Sequence, residues 1–212
     1  MLKVSEIFKS IQGESTHAGK LCSFVRLSGC NLQCIYCDTE YARIDGGADR
    51  SIEEIVAEVR YHRTTLVEIT GGEPLLQEET PELCSRFIDL GYTVLVETNG
   101  TIDIKCIPPP VIRIVDVKCP SSGHGESFLR ENFKRLTGTD ECKFVISDKD
   151  DFFWALDLVL RENLPAMCTV IFSPNTRMVS PEDLASWIIA ESAPVRLGLQ
   201  LHKIIWGEKR GV

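Results

Sequence analysis

The chain has 212 residues, 43% of them hydrophobic, with a formal net charge of -8 and a pI of about 5.1. That length supports one sizeable core, so one domain over residues 1–212 is expected, and the acidic balance offers no basic face to the phosphate backbone of nucleic acid. No apolar run reaches the roughly 18 residues of a membrane span, and the first 15 residues carry Glu6 and lack the apolar core of a signal peptide; a cytoplasmic protein with no nucleic-acid or membrane partner is expected.

In chain order, β-rich runs occupy residues 23–27, 66–69, 93–96, 111–117, 143–146, 169–172 and 195–201, and residues 4–8 can form an additional strand. Helical patterns lie between several of them. Across residues 51–63, Ile52, Ile55, Val56 and Val59 share one face, and Ser51 with Glu54 makes a capping box. Thr80 and Pro81 open a second helix, which Gly91 ends. Asp150 or Asp151 opens a third, with Phe153, Leu156, Val159 and Leu160 turned inward, and Ser180 with Pro181 opens a fourth that buries Leu184, Trp187 and Ile188. Strands alternating with helices mean βα units on a parallel sheet. Residues 98–110 break the alternation, because they show no helical period and end in three prolines. The expected fold is therefore α/β, an abridged partial (β/α) barrel missing at least one helix. In such folds chemistry gathers where strands end, which directs attention to Cys30 and its neighbours and to residues 70–74, 97–100 and 118–122.

Nine cysteines, an odd number, argue against a disulfide framework in a protein of this kind. Cys22, Cys84, Cys106, Cys119, Cys142 and Cys168 are scattered and read as small buried hydrophobes. Cys30, Cys34 and Cys37 instead lie within eight residues, after a strand. Soft thiolates suit iron–sulfur clusters, zinc or copper(I), and structural zinc and electron-transfer clusters usually take four protein ligands. Three ligands on a cubane leave one iron open to the amino and carboxylate groups of S-adenosylmethionine. The reduced cluster can then break the sulfonium C–S bond to give a 5′-deoxyadenosyl radical. Gly71 and Gly72 of Thr70-Gly-Gly-Glu-Pro74 let backbone approach such a ligand. Ser121 and Ser122 can meet its ribose or carboxylate, and Lys118 either joins them or forms a structural ion pair. Ser147 and Asp148 either contact the nucleoside or cap the helix that follows.

The C-x3-C-x2-C spacing, with Tyr36 before the last cysteine and the glycine-rich turn after the next strand, resembles the radical S-adenosylmethionine superfamily across residues 21–201. The resemblance implies a [4Fe–4S] cluster on Cys30, Cys34 and Cys37. It also implies contacts to S-adenosylmethionine from Tyr36, Cys37, Asp38, Gly72, Glu73, Ser121, Ser122, Ser147 and Asp148. A finer match lies in Ser10-Ile-Gln-Gly-Glu-Ser15, Phe24-Val-Arg-Leu-Ser-Gly-Cys-Asn-Leu-Gln-Cys-Ile-Tyr-Cys-Asp-Thr39, Glu97-Thr-Asn-Gly100 and Gln200-Leu-His-Lys203. These are similar to the 7-carboxy-7-deazaguanine synthase family, with a departure at Ser15, where glycine is usual.

That family resemblance implies radical ring contraction of 6-carboxy-5,6,7,8-tetrahydropterin in the queuosine pathway. Hydrogen would leave C6 of the pterin, the ring would rearrange and ammonia would depart, with S-adenosylmethionine regenerated. It implies Ile11, Gln12, Gly13, Glu14, Arg26, Thr70 and His202 at the substrate, with Glu14 and His202 as candidates for moving protons. It implies Mg2+ on Thr39, a homodimer, and an electron donor such as flavodoxin or ferredoxin. Arg26 has the bidentate fork a pterin carboxylate needs, with a structural pairing with an acid as the alternative. The tail 210–212 is a further candidate to fold over the site. Two other functions share part of the pattern: a glycyl-radical-activating or other radical enzyme, and a non-catalytic iron–sulfur or zinc module.

Overall fold

In the computed structural model, which describes residues 1–44, 46–207 and 209–212, the apolar runs pair into one sheet. The elements in chain order are β1 (Leu2–Ile11), β2 (Leu21–Leu27), α1 (Glu40–Ile44), β3 (Ala48–Arg50), α2 (Ile52–Tyr61), β4 (Leu66–Gly71), α3 (Thr80–Asp89) and β5 (Thr93–Thr98). They continue with β6 (Ile112–Asp116), β7 (Glu141–Ile146), α4 (Lys149–Arg161), β8 (Thr169–Pro174), α5 (Pro181–Ala190), β9 (Arg196–Leu197) and α6 (Leu201–Trp206). Across the sheet the order is β3-β1-β2-β4-β5-β6-β7-β8-β9. β1 runs antiparallel to both its neighbours, and every pairing from β2 to β9 is parallel. This is the abridged partial barrel, with β3 and β9 at its edges.

Strand alternation divides the side chains between two faces. In β4, Val67 and Ile69 enter the main core with Ile55, Val59, Leu83 and Phe87 of the covering helices, while Leu66 packs on the opposite face with Cys22, Phe24, Leu95 and Ile114. Glu68 and Thr70 share that second, concave face and line its cavity. The helices begin as their caps dictate. Ser51 and Glu54 close a reciprocal capping box on α2, Asp148 accepts from the Asp151 amide at α4, and Ser180 accepts from the Asp183 amide at α5.

Several expectations need correction. Phe152, Ala155, Leu156, Leu158 and Val159 form the buried side of α4, while Phe153 and Leu160 are 50% and 59% exposed. The run Phe152-Phe-Trp-Ala-Leu156 is apolar all round, so its period leaves the inward phase open. The strand expected over 195–201 shrinks to Arg196–Leu197, with Gly198 N still donating to Phe172 O of β8 (2.8 Å). The chain then turns, and Leu201 opens α6. Cys106 is exposed, unlike the other five scattered cysteines. His62 is partly buried, its Nδ1 3.0 Å from Ser23 Oγ, where a solvated helix end was expected. β1 is longer than residues 4–8, and α1, β3 and α6 are too short to leave a period in the sequence.

Neither residues 98–110 nor the β6–β7 connection forms an α-helix among the described residues. Asn132, fully buried, holds the first of these segments instead. Its Nδ2 donates to Gly100 O (3.0 Å) and Ile102 O (2.8 Å), and its Oδ1 accepts from the Ile104 amide (3.1 Å). Asn132→Ala takes the side-chain partner from Ile102 O and the Ile104 amide, while Gly100 O keeps the Leu129 amide (3.0 Å). At 1–3 kcal/mol for each group left unpaired, even partial solvation gives an expected loss of about 3 kcal/mol in urea unfolding. A loss below about 1 kcal/mol would show that water replaces the side chain.

Candidate active site

β2 ends at Leu27 and the chain turns through Gly29 at φ +95° into the cysteine loop. The turn after β4 docks on this loop by backbone alone. Gly72 N donates to Leu27 O (3.2 Å) and Glu73 N to Gly29 O (2.8 Å). A Cβ on Gly72 would strike Gly29 O and lie 2.8 Å from Cys30 Cβ, so no side chain fits there. Cys30, Cys34 and Cys37 line one cavity with Gly72. Leu32 N donates to Cys30 Sγ at 3.4 Å, and Asn99 Nδ2 stands 3.9 Å from the same sulfur.

Among the described residues no three His, Cys, Asp or Glu side chains converge as a single metal ion would require. Three soft donors spread around one wall suit a larger body, and thiolates suit iron–sulfur. His124, brought against the loop, has its Nε2 engaged by the Gln33 amide (3.0 Å). Tyr36 and Asp116 also line the cavity, and Tyr36 OH and Asp116 Oδ1 are buried without a hydrogen-bond partner among the described residues, orphaned polar atoms of the kind a binding site leaves for its ligand. The residues therefore fit a [4Fe–4S] cluster with S-adenosylmethionine beside it.

The concave face supplies the opposite wall. Glu68 and Thr70 of β4, Glu97 of β5, Asp116 of β6 and Lys143 of β7 all line the cavity. Lys143 Nζ pairs with Glu97, with Glu14 at 2.8 Å and with Asp116 at 3.4 Å, and Lys118 pairs with Asp116 at 2.9 Å. Glu14 arrives from the far edge of the sheet. β1 is antiparallel to β2, so its end, Ile11, lies beside Leu21, where the parallel strands begin. From there the chain crosses the floor. Gln12 Nε2 donates to Glu68, Glu14 reaches Lys143, and Thr16 donates through N (3.0 Å) and Oγ1 (2.6 Å) to Glu141. Burial pushes the Glu68 carboxyl well up, and the neighbouring Glu97 and Glu14 charges push it further. Burial also raises Glu14, but the Lys143 ammonium outweighs this and holds Glu14 below its usual value.

The rim carries the cations. Arg26 Nε donates to Glu6 Oε1 (2.8 Å), which also accepts from Tyr41 OH (2.6 Å), and the guanidinium lies between the Phe8 and Tyr41 rings. Arg210 stacks on the same Tyr41 ring, 3.3 Å from its centroid. Lys203 of α6 pairs with Asp38 (2.8 Å), to which Thr39 Oγ1 also donates (2.9 Å). Gly13 passes so close to α6 that a Cβ would collide with the His202 ring, and Gln200 Nε2 donates to Glu14 Oε1 (2.8 Å).

Of the residues expected from sequence, Ile11, Gln12, Gly13, Glu14, Arg26, Tyr36, Cys37, Asp38, Thr39, Thr70, Gly72 and His202 line this cavity with Cys30 and Cys34. Glu73, Ser121, Ser122, Ser147 and Asp148 stand behind its wall. Glu73 accepts from Asn99 N (2.7 Å), Thr98 Oγ1 (2.8 Å) and Leu75 N (2.9 Å). Ser122 donates to Cys119 O, Ser121 Oγ donates to Asp148, Asp148 caps α4, and Ser147 accepts from Asn175. Lys118 takes the ion-pair role. Glu68 and Lys143 were absent from the expected site, and Glu97 and Asp116, although in or beside segments singled out at strand ends, had no role of their own there. The signal for the first two was available: Glu68 and Lys143 are lone charges inside strongly apolar strands, where an unpaired charge is costly.

The raised Glu68 carboxyl carries a stability consequence. Folded protein keeps a proton there that unfolded chain, with an ordinary value of 4.5, releases, so stability falls as pH rises above that point. Glu68→Gln keeps a neutral group and escapes the loss. The melting-temperature difference between variant and wild type is expected to move in the variant's favour from pH 4.5 towards neutrality; a difference independent of pH would contradict the assignment.

Comparison with known proteins bears on this site. Residues 24–116 match the Radical SAM superfamily model. The chain is 46% identical over 227 aligned positions to the 7-carboxy-7-deazaguanine synthase of Koribacter versatilis, covering 100% of both chains. It is 42% identical to that of Chlorobaculum tepidum, covering 100% of this chain and 97% of that one. Among solved structures it is similar to QueE from Escherichia coli, with a TM-score of 0.77 at 22% identity over 95% of this chain and 94% of that one. Full-length identity at this level, on a partial barrel whose cavity gathers Cys30, Cys34 and Cys37, means that the chain belongs to the 7-carboxy-7-deazaguanine synthase family of the radical S-adenosylmethionine superfamily.

Proposed function

We propose that the chain converts 6-carboxy-5,6,7,8-tetrahydropterin to 7-carboxy-7-deazaguanine with loss of ammonia, using a [4Fe–4S] cluster on Cys30, Cys34 and Cys37. The carrying observation is one cavity that gathers three cysteines, an acidic wall centred on Lys143 and a cationic rim. When bound, the cluster and S-adenosylmethionine supply one-electron C–S cleavage and hydrogen-atom transfer at carbon. The protein's part is to bind, orient and move protons. Arg26, aimed by Glu6, meets the substrate carboxylate. Glu14 and Glu97 face the cavity as hydrogen-bond acceptors for the N–H groups of the aminopyrimidinone ring. Gln12 is fixed at both ends, its amide donating to Glu68 and its oxygen accepting from the Glu14 amide (2.7 Å), so it presents a set orientation to that ring. His202, held against Gly13, is placed to give a proton to departing ammonia.

Mg2+ fits Thr39. The hydroxyl donates to Asp38, which leaves its oxygen lone pairs for a hard ion that keeps most of its waters. Tyr36, Gly72 and the unpartnered Asp116 oxygen serve S-adenosylmethionine, with Glu73, Ser121, Ser122, Ser147 and Asp148 shaping the wall behind them. A homodimer, a flavodoxin or ferredoxin as reductant, and a cytoplasmic setting complete the reading.

The test is anaerobic reconstitution with iron and sulfide, then incubation with S-adenosylmethionine, Mg2+, reductant and the carboxypterin. Deazaguanine and ammonia are expected in equal amounts. Cys30→Ser, Cys34→Ser and Cys37→Ser are each expected to lose cluster absorbance and turnover together. Deoxyadenosine without deazaguanine would sink the substrate assignment, and full turnover in any serine variant would sink the cluster.

A further inference from the structure

Lys143 is 4% exposed and sits at the middle of β7, facing into the barrel. Its ammonium meets three carboxylates from three parts of the chain: Glu14 on the floor loop, Glu97 at the end of β5 and Asp116 at the end of β6. We infer that Lys143 is a positioning residue, which holds Glu14 and Glu97 aimed as acceptors so that this wall selects a ring edge rich in N–H donors. The inference rests on the substrate reading above and names what makes that wall selective.

The physical argument concerns what burial does to an acid. A carboxylate out of water takes up a proton unless a cation or donors compensate, and a protonated carboxyl offers a donor where the substrate needs an acceptor. Glu68 shows the case with a neutral donor in place of a paired cation. It lines the same cavity and accepts from the Gln12 amide, and burial with the adjacent Glu97 and Glu14 charges drives its carboxyl up. Glu14, 2.8 Å from Lys143, is driven the other way. The same contact fixes geometry. Lys143 ties the floor loop to β5 and β6, and Thr70 Oγ1 (3.4 Å, to Glu97) and Gln200 Nε2 (2.8 Å, to Glu14) set the outer carboxylate oxygens. The other charged groups around this centre, Lys118 on the far side of Asp116 and His202 near Glu14, leave Lys143 as the cation shared by all three acids.

The experiment compares binding of pterin-6-carboxylate with lumazine-6-carboxylate, in which oxygen replaces the 2-amino group, to reconstituted enzyme with S-adenosylmethionine. A carboxylate pair rejects a carbonyl at that edge, so wild type is expected to favour the pterin by roughly ten-fold or more. Lys143→Met is expected to lose most of that preference, and Lys143→Arg, which keeps the charge, to retain it. A structural loss alone would weaken both ligands in parallel and leave the ratio intact. Should Lys143→Met fail to fold, the double variant Lys143→Met/Glu97→Gln removes one charge of each sign and is expected to show the same lost preference. An unchanged ratio in either variant, a ratio lost equally in Lys143→Arg, or no preference in wild type overturns the inference. Failure of wild type to bind either carboxylate overturns the substrate reading instead.

Discussion

The site depends on two backbone hydrogen bonds between the turn after β4 and the loop after β2. Gly72 N and Glu73 N donate to Leu27 O and Gly29 O, and the strands come close enough only because neither Gly71 nor Gly72 carries a Cβ. That contact sets where Cys30 begins, and the rest of the loop is built outward from it. Glu73 then spreads the constraint one strand further, accepting from Thr98 and Asn99 at the end of β5, and Asn99 returns its side chain to the cysteine. A buried acid thus holds three strand ends in one relation.

A second constraint acts across the barrel rather than along its rim. The concave face holds four carboxylates close together, and low local dielectric makes their mutual repulsion large. The structure resolves this by giving three of them, Glu14, Glu97 and Asp116, a cation within contact distance and leaving Glu68, its carboxyl pushed well up, bonded to Gln12. Charge at the rim is treated differently. Arg26 shares Glu6 with Tyr41 and lies between aromatic rings, so its plane is fixed while much of its charge remains for an incoming anion. One cavity therefore carries an acceptor wall and a cationic rim, and a molecule with an N–H edge and a carboxylate meets both at once.

Much of this was legible in the sequence wherever one local rule decided the matter. The cysteine spacing, the double glycine, the Ser51–Glu54 box and the period of α2 each carry their own signal, and all appear as expected. What was not legible depends on chain segments meeting. Lys143 looks like an error in an apolar strand until Glu14 arrives from 129 positions away. The expectation that chemistry gathers at strand ends does not reach Gln12–Glu14, to which the family resemblance pointed instead, because the antiparallel β1 delivers them to the opposite edge. The inward phase of α4 failed for another reason: apolar residues on every side leave periodicity nothing to distinguish.

The crossing of the floor by residues 12–16 has a consequence for how the chain acquires its shape. Its anchors are Lys143, Glu141 and Gln200, separated from their partners by 129, 125 and 186 positions. Contacts of such span close late, since loop entropy must be overcome before they contribute. During synthesis, which delivers the amino-terminal part first, Glu14 waits unpaired until most of the polypeptide has emerged. The β2–β4–β5 portion can assemble before then, so the cysteine loop gains its scaffold early, while the substrate chamber is among the last regions to mature.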